Sequence, residues 1–407
     1  MNLIIHSVLT KDFLSVILII LLEKGEDIMY ELIDRYIEKL ITKSTPENPL
    51  WNIEQIRHGK KSNWNYIDGC MMTSLLSLYE QTNEKKYLDF VISYIDYFVE
   101  DDGTIKTYDY TKYSTDDICE SRVLFDLYHI TGNEKYRKAI ENTYKQIEGQ
   151  PRTKEGNFWH KKIYKNQVWL DGLFMAQVFY MRYETEFNGM KNYNDILNQF
   201  KNVRKYMYDS NKHLYYHGYD SERQMFWADK ETGLSKNFWL RADGWFTVAL
   251  ADICGYVDEQ MYDEYRYFAD LLKDTIDGLL EYQDEDSKMF WQVIDKPNKE
   301  GNYLETSGSL MISYAILKGV HIGVLPQRYE KIGLEIFNGV CNKYLSEKDG
   351  DLNLGGICLV AGLGPENNLR RDGTYEYYIS EPVVENDAKG VGPLIMAYTE
   401  VKKSLHK

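Results

Sequence analysis

Six times along the chain, a short polar residue, usually Asp, stands at the head of a long apolar run and most often before a small residue. These points are Asp68-Gly69, Asp116-Asp117, Asp171-Gly172, Asp243-Gly244, Ser307-Gly308 and Asn386-Asp387-Ala388. Asp, Ser and Asn side chains accept the orphan amide hydrogens of a helix start, so the pattern predicts six buried helices capped at these residues. Between them lie Met29–Ile41, Tyr87–Val99, Glu134–Ile147, Tyr193–Met207, Tyr265–Tyr282 and Tyr329–Tyr344. Each of these is amphipathic, with apolar residues at three- and four-residue spacing. Alternation of six nearly all-apolar helices with six one-faced helices predicts an all-α fold, an (α/α)6 barrel or six-hairpin toroid. With the inner helices parallel, all six capped ends open on one face, where their partial positive charge favours a carboxylate.

Length suggests roughly two or three domains. No linker rich in Pro, Gly or Ser divides the chain, however, so the repeat makes residues 29–407 one domain. Phe13–Leu22 is an apolar run of ten residues, too short for a membrane span and without the small-residue cleavage site of a signal peptide. Met29 then opens the first amphipathic stretch, so residues 1–28 read as an N-terminal extension or a start-site overcall, with a secretion signal as the alternative.

Composition narrows the partners. The chain is 43% apolar and 27% charged, as an ordinary globular protein is. A formal net charge of −15 argues against nucleic acid or an anionic membrane, while leaving room for a small anion held by a few local cations. The five cysteines, Cys70, Cys119, Cys254, Cys341 and Cys358, are widely spaced and form no Cys-x-x-Cys pair. They read as free thiols in a reducing compartment, and the expected location is cytoplasmic. Aromatic faces stack on sugar rings, but the 35 Tyr accompany frequent Lys, Asn and Ile, so weight falls on the placement of individual Trp residues. Oligomeric state is not legible.

Several other chemistries find little support. His213 and His217 are four apart, but there is no His-Glu-x-x-His and Gly218 follows, so a zinc site is not expected. Asp116-Asp117-Ile-Cys-Glu120 resembles an Asp-rich magnesium motif of terpene cyclases, but lacks the second cluster that a diphosphate site needs. Neither Gly-x-Ser-x-Gly nor a Walker loop is present. Gly355–Gly364 is glycine-rich but lies outside a strand-to-helix dinucleotide context, and Asp284–Asp286 reads as a solvated acidic loop.

At the six caps the chain resembles a known family. The stretches that carry the resemblance are Trp169-Leu-Asp-Gly-Leu-Phe-Met-Ala176, Tyr216-His-Gly-Tyr-Asp220, Phe238-Trp-Leu-Arg-Ala-Asp-Gly-Trp245, Gly301-Asn-Tyr-Leu-Glu-Thr-Ser307 and Tyr375-Glu-Tyr-Tyr-Ile-Ser-Glu-Pro-Val-Val384, followed by Asn386-Asp-Ala-Lys-Gly-Val-Gly-Pro393. They are similar to the unsaturated rhamnogalacturonyl hydrolases of glycoside hydrolase family 105, over nearly all of Met29 to the C-terminus. The resemblance implies an (α/α)6 barrel that removes the 4,5-unsaturated uronic acid left by polysaccharide lyases, with unsaturated glucuronyl hydrolysis or a non-catalytic sugar-binding toroid as alternatives. It implies Asp171 as general acid/base and Asp116 as the second carboxylate, with Asp117 one residue away as the other candidate. It places His160, Lys161, Trp169, His217, Trp239, Arg241 and Trp245 around the sugar. The family's usual Arg-Gly-Asn-Gly-Trp reads Arg241-Ala-Asp-Gly-Trp245 here, which bears on substrate preference.

The chemistry so implied needs no metal or organic cofactor. An unsaturated uronide contains a vinyl ether. Protonation at C4, addition of water at C5 and opening of the hemiketal release the glycosidic bond. This requires one carboxyl poised to donate a proton, its pKa expected to be raised by burial and by the second carboxylate. His160, Lys161 or Arg241 would hold the uronate, with Arg241 the leading candidate. Trp169, Trp239 and Trp245 would form aromatic walls. Asp68, Asp243 and Asp387 read as helix caps and His213 as solvent-facing.

Overall fold

The computed structural model describes residues 28–348 and 350–405; the expectations for residues 1–27 lie outside them. Periodicity explains the helices. In Lys85–Phe98, the buried residues Tyr87, Leu88, Val91, Tyr94, Ile95 and Phe98 recur at one-helical-face spacing, while Asp89, Ser93 and Asp96 face solvent. In Leu240–Tyr256, by contrast, every residue from Leu240 to Cys254 is buried. That is the signature of a helix surrounded on all sides.

In chain order, the helices are α1 (residues 28–43), α2 (Ile53–Arg57), α3 (Tyr66–Thr82), α4 (Lys85–Phe98), α5 (Thr115–Glu120), α6 (Val123–Thr131) and α7 (Glu134–Gly149). There follow α8 (Val178–Phe187), α9 (Tyr193–Tyr206), α10 (Leu240–Tyr256), α11 (Tyr262–Leu280), α12 (Thr306–His321), α13 (Arg328–Tyr344), α14 (Tyr375–Ser380) and α15 (Ala388–Leu405). The inner ring runs α3, α5 with α6, α8, α10, α12 and α15, and α15 returns to pack on α3. The outer ring is α1, α4, α7, α9, α11 and α13. This is the (α/α)6 barrel that the periodicity predicts. No helix among the described residues is long and apolar enough to cross a membrane. All five cysteines are free and buried.

Two inner helices depart from regularity. The second breaks between α5 and α6 at Ser121 and Arg122. The third opens with a wide π turn, Leu173–Gln177, before continuing as α8; such turns are frequent at functional sites.

The caps also sit elsewhere than expected. Asn65 caps α3 by accepting from the Ile67 amide, while Asp68 lies inside the first turn and accepts from Trp51 Nε1 and Ser62 Oγ. Asp243 is the fourth residue of α10, and Ser307 follows Glu305, whose carboxylate caps α12 through the Gly308 amide. Only Asp387 behaves as read: its Oδ1 accepts from the Lys389 amide at 3.0 Å.

The glycines of the repeat have a steric cause. A Cβ on Gly69 would stand 2.5 Å from Glu120 Cα, and one on Gly244 would stand 3.1 Å from Gly308 Cα. These residues mark where neighbouring inner helices touch near their N-terminal ends.

Four short antiparallel pairs decorate the loops: β1 (Gln167–Trp169) with β4 (Gly218–Asp220), β2 (Tyr208–Asp209) with β3 (Leu214–Tyr215), β5 (Leu345–Lys348) with β6 (Asp351–Leu354), and β7 (Ile357–Cys358) with β8 (Val383–Val384).

Candidate active site

Strand pairing brings the site together. β1 and β4 register Trp169 against Gly218, and the Leu170 amide donates to the His217 carbonyl at 2.9 Å. Asp171 is thereby carried up beside His217. On the other side, the His160 amide donates to the Gln167 carbonyl, and the His160 carbonyl accepts from the Thr115 amide at the start of α5. Asp116, in the first turn of α5, therefore stands next to His160 and Lys161. A cavity of about 250 Å³ opens here, lined among others by Asp116, Asp117, Lys161, Trp169, Asp171 and Arg371. It lies just under the roughly 300–1,000 Å³ of drug-sized pockets, a size suited to one sugar ring.

The two carboxylates are held differently. Asp116 pairs with Lys161 Nζ at 2.5 Å and with His160 Nε2 at 3.3 Å. Burial pushes its pKa up, but the Lys161 ammonium and the adjoining His160 ring outweigh burial and hold the carboxyl well below its ordinary range. Asp117 has no such partner. Burial and the neighbouring Asp116 charge push it up to about 7.

Asp171 Oδ1 lies 3.6 Å from His217 Nε2, too far for a direct hydrogen bond, and neither atom has a hydrogen-bond partner. The phenol of Tyr378 lies 2.6 Å from His217 Nδ1. Burial keeps that phenol protonated, with its pKa raised well above its ordinary value, so it donates to Nδ1 and leaves the ring proton on Nε2, facing Asp171. Burial also lowers the His217 pKa, favouring the neutral ring. For Asp171 the expectation of a raised pKa is corrected. Burial and Asp116 do raise it, but the facing His217 and the nearby His160 prevail, and the net shift is downward.

The aromatic residues divide. Trp169 lines the cavity and stacks on His160, with centroids 4.3 Å apart. Trp239 sits behind His217 at 4.7 Å, its indole donating to Gln292 Oε1. Trp245 is not among the residues that line this cavity. It packs face to face on Phe174 at 4.2 Å, because its position on α10 turns it toward the third inner helix. Arg241 is likewise not among the lining residues. It is 1% exposed and donates to the Cys358 and Leu359 carbonyls and to Ser307 Oγ. His213 is exposed beside Glu281, as read. The sequence reading passed over Tyr378 and Arg371. Tyr378 lies within a quoted family stretch, but only the structure shows its contact with His217. Arg371 lies between two such stretches, with no motif around it. Among the described residues, no group of three or more His, Cys, Asp or Glu side chains is arranged to hold a metal.

Comparisons with known proteins show the family. A family model described as Glycosyl Hydrolase Family 88 matches residues 33–405. A solved glycoside hydrolase of family 105 from C. acetobutylicum is 41% identical, with a TM-score of 0.84, covering 92% of this chain and 99% of that one. A Bacillus subtilis unsaturated rhamnogalacturonyl hydrolase is 25% identical over 260 residues, which is 62% of this chain and 70% of that protein. At 13% identity and a TM-score of 0.61, the unsaturated glucuronyl hydrolase of Bacillus sp. GL1 shares the fold over 84% of this chain and 88% of that one.

Proposed function

Because the chain matches the family described as Glycosyl Hydrolase Family 88 and belongs with the glycoside hydrolases of family 105, we propose that it removes a 4,5-unsaturated uronic acid from the non-reducing end of lyase-generated oligosaccharides. The first candidate substrate is the unsaturated rhamnogalacturonan disaccharide, on the strength of the Bacillus subtilis relative. The observation that carries this reading is a cavity of one-sugar size into which Asp171 and Asp116 both open, under the Trp169 ring.

In this reading Asp171 is the proton donor to C4. It rests ionised, so it must first be loaded with a proton. Closing the cavity over an anionic ring deepens its desolvation and adds a negative charge nearby, and both raise its pKa. Once C4 is protonated, positive charge develops at C5 and on the ring oxygen. Asp116, kept ionised by Lys161 and His160, stabilises that charge. Water then adds at C5 and returns a proton to Asp171. The C5 hemiketal opens to a ketone, C1 is left as a hemiacetal of the leaving sugar, and its collapse releases that sugar. One water is consumed and the catalyst is regenerated. No metal or organic cofactor enters this scheme.

The test compares an unsaturated disaccharide with its saturated counterpart, following the ultraviolet absorbance of the C4–C5 double bond and the release of the second sugar. Loss of absorbance together with sugar release, on the unsaturated substrate alone, is the expected result. Comparable cleavage of both would point to displacement at the anomeric carbon, and turnover of neither to a sugar-binding toroid. A second reading, an unsaturated glucuronyl hydrolase acting on another lyase product, has in its favour the shared fold of the Bacillus sp. GL1 enzyme. A panel of lyase-generated disaccharides separates the two.

A further inference from the structure

The basic side chains expected to hold the substrate's carboxylate are already committed. Lys161 Nζ and His160 Nε2 are both turned onto Asp116, and Arg241 is spent on backbone carbonyls outside the cavity lining. Among the acids of the cavity, Glu54 pairs with Lys389, Asp116 with Lys161, and Asp171 faces His217. With Asp117 the cavity holds four carboxyl groups, and an anionic sugar entering this space would meet them and their partners with no cation left over, unless one came from elsewhere.

Arg371 supplies it. It is half-buried and lines the same cavity, and its guanidinium makes no hydrogen bond or ion pair with any described residue. Its neighbour Arg370 behaves in the opposite way, turning outward to pair with Glu381 at 2.8 Å. The segment that carries Arg371 is fixed in place. Its carbonyl accepts from the Gly364 amide at 2.9 Å, its amide donates to the Asn368 carbonyl, and the Gly362 amide is held by Tyr377 Oη. A methyl group on Gly362 would lie 3.1 Å from both Arg371 Nη1 and Trp169 Cη2. The free guanidinium therefore stands at the edge of the indole against which the sugar is expected to rest.

We propose that Arg371 is the specificity-determining residue that binds the substrate's uronate carboxylate, the role the sequence assigned to Arg241. The inference rests on the reading of the substrate as an unsaturated uronide. An unpaired, pre-positioned guanidinium offers two parallel N–H donors to a carboxylate, a geometry that Lys reproduces only as a point charge. The same fork gains much less from a methyl ester, which has no charge to offer.

The test is titration calorimetry in an Asp171→Asn background, with the unsaturated rhamnogalacturonan disaccharide as free acid and as methyl ester. Arg371→Gln is expected to weaken binding of the free acid about 10- to 100-fold, as loss of a charged hydrogen bond does, and to leave the ester nearly unchanged. Arg371→Lys should restore part of the loss. Equal losses on acid and ester, no loss on either, or no binding of the acid by the Arg371 protein would overturn the assignment. Absorbance assays on the otherwise unaltered protein stand apart from this measurement. A chain that binds the acid through Arg371 yet leaves the double bond intact would refute the hydrolase reading and keep this one.

Discussion

Asp171 and Asp117 lie in one cavity and are driven in opposite directions, and each direction has a consequence. His217 beside Asp171 favours its negative charge, whereas at Asp117 burial and the Asp116 carboxylate, both of which oppose ionisation, outweigh Lys161, Lys112 and Ser114. Asp171→Asn should fold normally, since its side chain caps no helix, and should lose about 10²–10⁴ in rate as the removal of a general acid does. A folded variant with near-unaltered turnover would remove Asp171 from the mechanism. For Asp117 the measurement is stability. Its pKa rises from the ordinary carboxylate value to about 7 on folding, so the native state binds the extra proton between those two values. Stability from this group is therefore full below pH about 4 and is lost as pH rises through 7. In Asp117→Asn that loss disappears. The melting temperature of the variant, relative to the original chain, should climb steadily between pH 4 and pH 8, and a difference independent of pH would show that Asp117 titrates normally.

Helix placement was legible in the sequence to within a few residues, because apolar spacing records which face is buried, and the outer helices follow it closely. Helix starts were less legible. Asp68, Asp243 and Ser307 look like caps, yet each sits inside a first turn and is buried. The small residue beside each was the better clue. Gly69 is required because α3 crosses α5 with backbone against backbone, not because its own conformation is unusual. Gly69→Ala should therefore push α5 aside. An overpacked contact of this kind costs about 1–3 kcal/mol, read as a lowered melting temperature. Since α5 also carries Asp116, kcat should fall even at temperatures where the variant is folded; stability and kcat both unchanged would mean that the contact is soft. The site was legible where chemistry and chain proximity coincide, as in Trp169-Leu-Asp171. It was not legible for Arg241 and Arg371. Which of two guanidiniums reaches a cavity depends on how the 357–371 segment folds across the mouth, and no local pattern encodes that.

At the scale of the whole molecule, a net charge of −15 surrounds a cavity proposed to take an anion. The distant field repels such a substrate, while the local cations act at contact. Salt separates these effects. The screening length falls from about 30 Å at 0.01 M to about 10 Å at 0.1 M, which weakens the long-range repulsion, but partly buried pairs are screened much less. The kcat/KM for the free acid should therefore rise modestly over this range and stay flat for the methyl ester. A fall with salt would mean that the local attraction dominates at every distance.

The ring closes late. The last inner helix, α15, packs on the first, α3, and the first outer helix lies across α15 through the Tyr30–Tyr398 ring contact and a Tyr36–Asn386 hydrogen bond spanning 350 positions of chain. On a ribosome, the face of α3 that meets α15 stays bare until nearly the whole chain has been made, although α4 and α5 cover its other sides early. At roughly 5–20 residues per second, that interval is tens of seconds. Contacts of such long sequence separation also make the final collapse slow, because loop-closure entropy must be spent before any burial repays it. The architecture that closes the ring in the finished protein thus leaves its own nascent chain exposed to aggregation for longer than a set of independent hairpins would be.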